Sequence, residues 1–235
     1  MKAFLSFFRF LFCRRSAGPV APSRLLLALF SRAALVVASG HALAVGTGEV
    51  VQGSASFQGG NGAPVTTINQ TSDRAVINWS NFNIGKQESV TFNQPGVSSA
   101  TLNQVLGPDA TQIMGALKAN GRIFIVNPNG VVFGQGASVD VGGLVASSLG
   151  INNNDFMSGK LSFAAGSTQP GLVQVEAGAS ITAKSFVALL GNQVSNAGSI
   201  TAGTDPNADS RGVSLVAADA ATIQIGNWSV AIDQG

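Results

Sequence analysis

One short segment of this chain occurs twice, and the repeat limits the folds that the chain can adopt. Ala177-Gly-Ala-Ser-Ile-Thr-Ala183 returns as Ala197-Gly-Ser-Ile-Thr-Ala202, an offset of 20 residues at the Ala-Gly pair. Gly136-Ala-Ser-Val-Asp-Val141 precedes the first copy by 42 residues, which is close to two such periods. Repeats of this kind, with short apolar runs between tight turns, are typical of parallel β-helices, in which coils stack at about 4.8 Å.

The rest of the sequence agrees with a stack of short strands. Apolar runs of four to six residues alternate with turns rich in Gly, Asn and Ser, a pattern that indicates many short strands. Residues 186–190 and 213–217 are predicted to be equivalent inner strands of successive coils. Three aromatic residues are expected to pack in the core or cap of the stack: Trp79, Phe82 and Phe92.

One helix is predicted between residues 109 and 121. Asp109 followed by Gln112 makes a plausible cap, Ile113 and Leu117 share a helical face, and Asn120-Gly121 provides a stop. We expect this helix to plug or flank the coil stack rather than to bind a partner.

A sharp turn is predicted where Asn127-Pro128-Asn129-Gly130 lies between two apolar runs. Asn at the first position, Pro at the second and Gly at the fourth are the preferences of a type I turn. The simplest interpretation of these four residues is therefore a structural corner between two strands.

The first 44 residues are predicted to be an extended secretory signal peptide. They contain six of the 13 Lys and Arg residues and no Asp or Glu, and an apolar run over residues 25–38 is followed by Ala42-Leu-Ala44, a small-x-small cleavage signature. A transmembrane anchor is the alternative, but the run is shorter than the roughly 20 residues that a span needs and contains Arg32. Cleavage after Ala44 leaves the mature chain with seven basic and 11 acidic residues, a net charge of −4, which argues against nucleic-acid binding.

The mature chain lacks the side chains used most often in catalysis. Cys13 and His41 are the only cysteine and histidine, and both lie in the predicted leader. We therefore expect no thiol or imidazole catalysis, no Cys/His metal site and no cofactor. Asp205 and Asp209 are the closest carboxylates in a loop, and solvated turn residues or a weak cation loop explain them better than catalysis.

Three sequence blocks together resemble the secretion domain of the filamentous haemagglutinin family, in the branch of the high-molecular-weight adhesins of two-partner secretion. They are Val76-Ile-Asn-Trp-Ser-Asn-Phe-Asn-Ile-Gly85, Gly121-Arg-Ile-Phe-Ile-Val-Asn-Pro-Asn-Gly-Val-Val-Phe-Gly134 and Ala137-Ser-Val-Asp-Val-Gly-Gly-Leu-Val-Ala-Ser-Ser-Leu149. The likeness runs from about Gly48 to about Asp155. The Asn-x-x-Asn-Leu motif of the haemolysin-like branch has no clean copy, and Asn78-Trp-Ser-Asn81-Phe82 is the nearest segment.

The fold class that we expect is all-β: a right-handed parallel β-helix with short flanking hairpins or cap strands and one short helix, formed by residues 45–235. The resemblance implies export through the general secretory machinery to the periplasm of a Gram-negative bacterium, and then recognition by an outer-membrane transporter that releases the protein to the cell surface or medium. The residues expected to serve that recognition are Asn127, Pro128, Asn129 and Gly130, with a second group formed by Asn78, Trp79, Asn81, Phe82 and Asn83.

Two other functions remain open from the sequence. The domain can itself be a carbohydrate-binding adhesive module, although only two Trp and no Tyr are available for stacking on sugars. Contacts with host glycans or receptors are therefore expected in downstream regions. The chain stops after a strand-like run at residues 229–232 without a polar cap, as expected of either the amino-terminal part of a longer fibrous protein or a truncated product. A β-helix polysaccharide lyase or hydrolase is the least favoured, since the carboxylates are scattered.

Overall fold

A computed structural model describes residues 45–166 and 170–233 of the chain, so the predicted signal peptide lies outside the described residues. The described ranges contain 22 strands and one short helix. In chain order the elements are β1 (Gly48–Gln52), β2 (Ala55–Gln58), β3 (Val65–Gln70), β4 (Arg74–Trp79), β5 (Ser89–Asn93), β6 (Ala100–Val105), β7 (Thr111–Ile113), β8 (Ala116–Ala119), β9 (Arg122–Val126), β10 (Val131–Phe133), β11 (Ser138–Val141), β12 (Gly143–Ser147), β13 (Gly150–Ile151), α1 (Asn153–Ser158), β14 (Leu161–Ala164), β15 (Leu172–Val175), β16 (Ser180–Ala183), β17 (Phe186–Gly191), β18 (Gln193–Asn196), β19 (Ser199–Ala202), β20 (Gly212–Ala217), β21 (Ala220–Gln224) and β22 (Ser229–Ile232).

Three parallel stacks of strands build a β-solenoid of about six coils. Sheet A contains β4, β6, β9, β12, β17 and β20, sheet B contains β3, β5, β8, β11, β16 and β19, and sheet C contains β7, β10, β15 and β18. The chain passes from sheet B to sheet A in the first two coils and through sheets C, B and A in the next four. The predicted parallel β-helix is thus confirmed.

The flanking hairpins are also present, at the amino-terminal end of the stack. Strand β1 pairs antiparallel with β4, and β2 pairs antiparallel with β3. These two strands close the first coil, whose edge strands would otherwise expose unpaired backbone groups.

The repeated segment sets the register between coils. Ser138 pairs with Ser180, and Ser180 pairs with Ser199, so the three copies stack directly on one another. The interval of 42 residues is therefore one coil and not two, because β13, α1 and β14 are inserted between β12 and β15. The predicted equivalence of residues 186–190 and 213–217 is confirmed by the pairing of β17 with β20.

The helix predicted between residues 109 and 121 is wrong, since that segment forms β7 and β8. Burial alternates along residues 111–117, from buried Thr111 to buried Leu117, which is the period of a strand. Ile113 and Leu117 are four residues apart, and an even spacing puts two side chains on one face of a strand as well as of a helix. The spacing of Ile113 and Leu117 alone therefore does not distinguish a helix from a strand.

The observed helix, α1, lies elsewhere. The Asn152 side chain caps it by accepting hydrogen bonds from the backbone amides of Asn154 and Asp155, and Gly159 ends it with a φ of 89°. Helix α1 and the antiparallel sheet D (β13, β14, β21 and β22) belong to an apolar cluster with the outward face of sheet A, in which Phe124 and Phe156 have ring centroids 5.1 Å apart. Sheet A is consequently apolar on both faces, and residues 229–232 form a strand of sheet D rather than a further coil.

The interior of the solenoid near its amino-terminal end is aromatic. Phe57, Trp79, Phe82 and Phe92 form a continuous row with centroid distances of 5.6, 5.2 and 6.3 Å. The last three are fully buried, which confirms the prediction that they pack in the core.

Candidate functional site

The Asn-Pro-Asn-Gly segment forms the predicted corner, at the passage from β9 in sheet A to β10 in sheet C. The backbone amide of Gly130 donates to the carbonyl of Asn127 at 2.9 Å, which closes the four-residue turn. The backbone amide of Asn129 donates to Oδ1 of Asn127, also at 2.9 Å. Both bonds are local, so the turn is stabilised by its own four residues.

Asn127 also joins the turn to the preceding coil. Its side chain is fully buried, and Nδ2 donates to the carbonyl of Asp109 and to Oγ1 of Thr111, each at 3.0 Å. With Oδ1 bonded to Asn129, the amide of Asn127 uses both of its hydrogens and its oxygen within the protein. Asn127 therefore has a structural role and presents no group at the surface.

Gly130 and the following coil hold the turn from the other side. Gly130 has a φ of 111°, and a Cβ there would lie 2.7 Å from the carbonyl oxygen of Leu172, so this position requires glycine. The backbone amide of Gly171 donates to the carbonyl of Pro128 at 2.7 Å. The turn is thus fixed between two neighbouring coils.

Pro128 and Asn129 are the exposed residues of the turn. Nδ2 of Asn129 donates to the carbonyl of Gly107 at 2.9 Å, which leaves Oδ1 and one amide hydrogen directed to solvent or a partner. The turn consequently offers a rigid proline ring beside one polar amide.

Most of the second predicted group is part of the core. Trp79 and Phe82 are buried in the aromatic row, and Nε1 of Trp79 donates to Oδ1 of Asn103 at 2.9 Å. Asn81 and Asn83 are half-buried, and each accepts a backbone amide through Oδ1, from Asn83 and Gln112 respectively. These four residues fold the first coil and have few free polar groups.

Asn78 is the exception within the second group. It is half-buried, and its Oδ1 has no hydrogen-bond partner in the described part of the chain. It lines a cleft of about 510 Å³ together with Trp79, Leu106, Gly107 and Pro108, which we call the Leu106 cleft. Because Asn129 bonds to Gly107, the structure places Asn78 and the exposed side of the turn on one surface region.

Buried polar residues between the coils were not identified from the sequence. Asn103 is fully buried and bridges Trp79 to the carbonyl of Phe124, to which its Nδ2 donates at 3.1 Å. Gln94 is buried and donates to Oγ1 of Thr101 at 3.0 Å. The available signal was a polar residue inside an apolar strand segment, as in Leu102-Asn103-Gln104, but strand alternation alone does not show which such residues point inward.

A family model described as the TPS secretion domain, where TPS denotes two-partner secretion, matches residues 42–232. The chain belongs to the TPS secretion domain family. The structure is similar to the HMW1 secretion domain from Haemophilus influenzae, with a TM-score of 0.70 and 30% sequence identity over 79% of this chain and 48% of that chain. The predicted resemblance to the adhesin branch is thus confirmed.

Two curated relatives of this TPS secretion domain are heme/hemopexin-binding proteins of Haemophilus influenzae. One is 48% identical over 80 residues, and the other, from strain ATCC 51907 / DSM 11121 / KW20 / Rd, is 38% identical over 148 residues. The matches cover 34% and 58% of this chain but only 9% and 16% of the relatives. The shared part is therefore a small portion of much longer proteins.

Family membership defines the general role of the chain. A TPS secretion domain is the export domain of a two-partner secretion substrate, and it implies an outer-membrane TpsB transporter as partner. Proteins of this kind are exported by Gram-negative bacteria. The family is a secretion-domain family and not an enzyme family.

The remaining candidate groups have structural explanations. Oδ1 and Oδ2 of Asp209 accept from Nη2 of Arg122 at 3.1 and 3.0 Å, and Oδ1 of Asp205 accepts the backbone amide of Asn207 at 2.9 Å. Within residues 45–166 and 170–233, no three His, Cys, Asp or Glu side chains are grouped so that they could hold a metal ion. No helix in these ranges is long and apolar enough to cross a membrane.

Aromatic platforms for sugars are also lacking on the described surface. Every Phe and Trp side chain in the described ranges is buried or half-buried. Trp228, the second tryptophan, stacks on Phe186 at 4.5 Å between ring centroids. The carbohydrate-binding alternative gains no support from this arrangement, because flat sugar sites usually stack on exposed rings.

Proposed function

We propose that the TpsB transporter recognises this TPS secretion domain through the exposed side of the Asn-Pro-Asn-Gly turn, with Pro128 and Asn129 in contact with its periplasmic modules. This assignment is supported by the different orientations of the four residues of the turn. Asn127 and Gly130 face inward and fix its shape, whereas Pro128 and Asn129 face outward.

The turn suits recognition before the domain has folded. Its two closing hydrogen bonds join residues no more than three positions apart, so they can form in an otherwise extended chain. The bonds to Asp109, Thr111 and Gly107 link different coils and form only as the solenoid assembles. A solenoid built from such non-local pairings folds slowly, which favours a largely unfolded periplasmic intermediate.

The proposed route begins with the general secretory machinery. The signal peptide over residues 1–44 directs the chain to the periplasm and is cleaved after Ala44. Extended segments beside the turn then add to the edge of a sheet in the transporter, as strand addition allows. Outside the cell, each coil stacks on the previous one, and this stacking opposes backward movement.

Asn78 is a second contact in this proposal. Asn78 lines the Leu106 cleft with its Oδ1 buried and unpaired, and Leu106 itself is 69% exposed. Because this oxygen is shielded from solvent in the folded domain, a donor of the transporter pairs with it before the first coil closes, while an apolar side chain covers Leu106. Trp79, Asn81, Phe82 and Asn83 support that surface by folding the first coil.

Host attachment is assigned to other parts of the exoprotein. The matched segment covers at most 16% of the relatives, which are described by their binding of heme and hemopexin. We propose that adhesive or ligand-binding activity resides outside this export domain, on the cell surface or in the medium.

The test compares secretion of four single variants of the full chain in cells that carry the transporter. Asn129→Ala removes an exposed amide, and Asn207→Ala is a matched control because Asp205-Pro206-Asn207 is a similar turn, in which the amide of Asn207 donates to Oδ1 of Asp205. We expect Asn129→Ala to lower the amount in the medium while the purified protein keeps its circular dichroism spectrum. Asn207→Ala should be secreted like the wild type.

Asn78→Ala should show a smaller loss than Asn129→Ala if both residues contact the transporter. If both single variants, Asn129→Ala and Pro128→Ala, are secreted normally, the exposed side of the turn is excluded as the recognition surface. An equal loss for Asn207→Ala would show a general effect of altered turns and would exclude specific recognition.

A further inference from the structure

Basic side chains gather around one cleft of the domain. Residues 45–235 contain only seven Lys and Arg residues against 11 acidic ones. Three of the seven line a single cleft of about 570 Å³ between sheet A, the segment that follows α1 and the β21–β22 hairpin: Arg74, Arg122 and Lys160. We call it the arginine cleft. A concentration of cations in one place on an otherwise acidic domain is not explained by the secretion role.

The two arginines are placed by the solenoid register. Arg74 in β4 pairs with Ala100 in β6, which pairs with Arg122 in β9. Their Cα atoms are therefore two strand spacings, about 10 Å, apart on the same face of sheet A. The guanidinium carbon of Arg74 lies 5.3 Å from the ring centroid of Phe156, and that of Arg122 lies 5.9 Å from the ring centroid of Phe186. These contacts limit the positions of the guanidinium groups.

The three cations differ in how far their charges are neutralised. Arg122 bonds to both carboxylate oxygens of Asp209, and Lys160 pairs with Asp155 at 3.2 Å. Arg74 donates to the carbonyl of Phe156 at 3.0 Å, but no carboxylate of the described residues lies within 4.0 Å of it. Burial first, and then the charge of Arg122, lower the pKa of Arg74 from its ordinary value, whereas Asp73 raises it. The guanidinium of Arg74 is thus a half-buried cation that makes no direct ion pair within the described residues.

We propose that the arginine cleft is a binding site for a tetrahedral oxyanion, the phosphate or sulfate group of a free anion or of an ester, held between Arg74 and Arg122. Guanidinium groups donate paired, charge-assisted hydrogen bonds to such groups. The bonds that Arg122 donates to Asp209 show that this guanidinium binds an oxygen anion in the cleft, and the Asp209 side chain is 56% exposed, so it can move aside. Polar groups at the rim, Thr222, Gln224 and Asn227, are available to contact the remainder of an ester.

The site fits a small anion better than a nucleic acid. Two arginines and one lysine span a single cleft, and the domain carries a net charge of −4, so a long polyanion would meet repulsion beyond it. This inference does not depend on transporter recognition, because the cleft is lined by residues of β4, β9, β14, β21 and neighbouring loops and not by the Asn-Pro-Asn-Gly turn.

Isothermal titration of the purified mature chain with inorganic phosphate and with inorganic sulfate tests the proposal. We expect both anions to bind in the millimolar range, and Arg74→Gln to weaken binding by about tenfold or more, as expected for a lost charge-assisted bond. Lys118→Gln is the matched control, since it removes the same charge from an exposed site on sheet B and should leave the affinity unchanged.

Asp209→Asn gives a prediction in the opposite direction. Because it removes the carboxylate that competes for Arg122, phosphate should bind several-fold more tightly and should raise Tm more than in the wild type. A purely structural ion pair would only lower Tm and leave the affinity for phosphate unchanged. This variant keeps the proposal testable if Arg74→Gln does not fold.

Glucose 6-phosphate separates the two sources of the anion. Tighter binding than inorganic phosphate indicates an ester whose sugar contacts the rim, and equal binding indicates the anion alone; both outcomes support an oxyanion site. The proposal is overturned if the wild type binds neither phosphate nor sulfate, if Lys118→Gln reduces affinity as much as Arg74→Gln, or if Asp209→Asn does not bind phosphate more tightly.

Discussion

Replacement of Asn127 by alanine tests the structural part of the account most sharply. The wild-type side chain makes three hydrogen bonds, to the carbonyl of Asp109, to Oγ1 of Thr111 and from the backbone amide of Asn129, with lengths of 3.0, 3.0 and 2.9 Å. It is fully buried, so the bonds are protected from water. Alanine removes all three and loosens the turn between β9 and β10.

The expected loss in the free energy of unfolding follows from the number of hydrogen bonds that the Asn127 side chain makes. A neutral hydrogen bond contributes about 1 kcal/mol net to the free energy of unfolding, so three give about 3 kcal/mol. Asp109 and Asn129 are exposed and their backbone groups can bond to water after the substitution, whereas Thr111 is buried and its hydroxyl cannot. The unpaired Thr111 hydroxyl therefore adds a further cost, and the total loss should be about 3 kcal/mol or more.

Asn129→Ala is the matched control, because it removes one exposed hydrogen bond from the same turn. We expect it to lower the free energy of unfolding by less than about 1 kcal/mol. Urea unfolding of both purified variants, followed by circular dichroism, measures the difference. If Asn127→Ala unfolds at the same urea concentration as Asn129→Ala, the assignment of Asn127 as a link between coils is refuted.

Three further predictions concern the core and the leader. Trp79→Phe should lower the free energy of unfolding by about 2–4 kcal/mol, because it leaves Oδ1 of buried Asn103 unpaired. The double variant Trp79→Phe with Asn103→Leu should lose less stability than the sum of the two single variants. Additive losses in urea unfolding would contradict this pairing. Gly115→Ala should prevent folding, since a Cβ there would overlap backbone carbonyl oxygens of the preceding coil, while Gly166→Ala, which meets open space, should fold normally; the circular dichroism of the pair decides. Mass spectrometry of the secreted protein should find Val45 as its first residue, and a start within the preceding 44 residues would refute the predicted cleavage.

The repeats made the solenoid predictable, but they did not reveal where a coil is enlarged. Ser138, Ser180 and Ser199 stack as the matching segments indicate. The interval of 42 residues resembled two periods. Sequence similarity identifies equivalent residues in two coils, but it does not show how many elements lie between them. Only the structure shows that β13, α1 and β14 leave the solenoid in that coil.

Local signals were ambiguous where helix and strand share a spacing. Ile113 and Leu117 suit both periods, and the pairing of Ala116 with Ser138 in the next coil decides for a strand. Helix α1 had a capping Asn152 and a terminating Gly159, which are recognisable signals, but its six residues are too few for a clear apolar period.

The sequence predicted that the candidate site is a turn. It did not predict which residues of the turn are buried and which are exposed. Turn preferences identified Asn127 and Gly130 correctly because their requirements are local. The burial of Asn127 depends on Asp109 and Thr111, which come from the preceding coil and are distant in sequence. Trp79 is inward for the same reason, since its partner Asn103 belongs to the next coil.

Export of this chain by an outer-membrane TpsB transporter can be measured from its distribution between cells, periplasm and medium. The full chain is produced with and without its cognate transporter, and each fraction is quantified by immunoblotting. The account predicts that the protein reaches the medium only when the transporter is present and otherwise remains in the periplasm. Equal amounts in the medium with and without the transporter, or periplasmic retention in the presence of the cognate transporter, would contradict it.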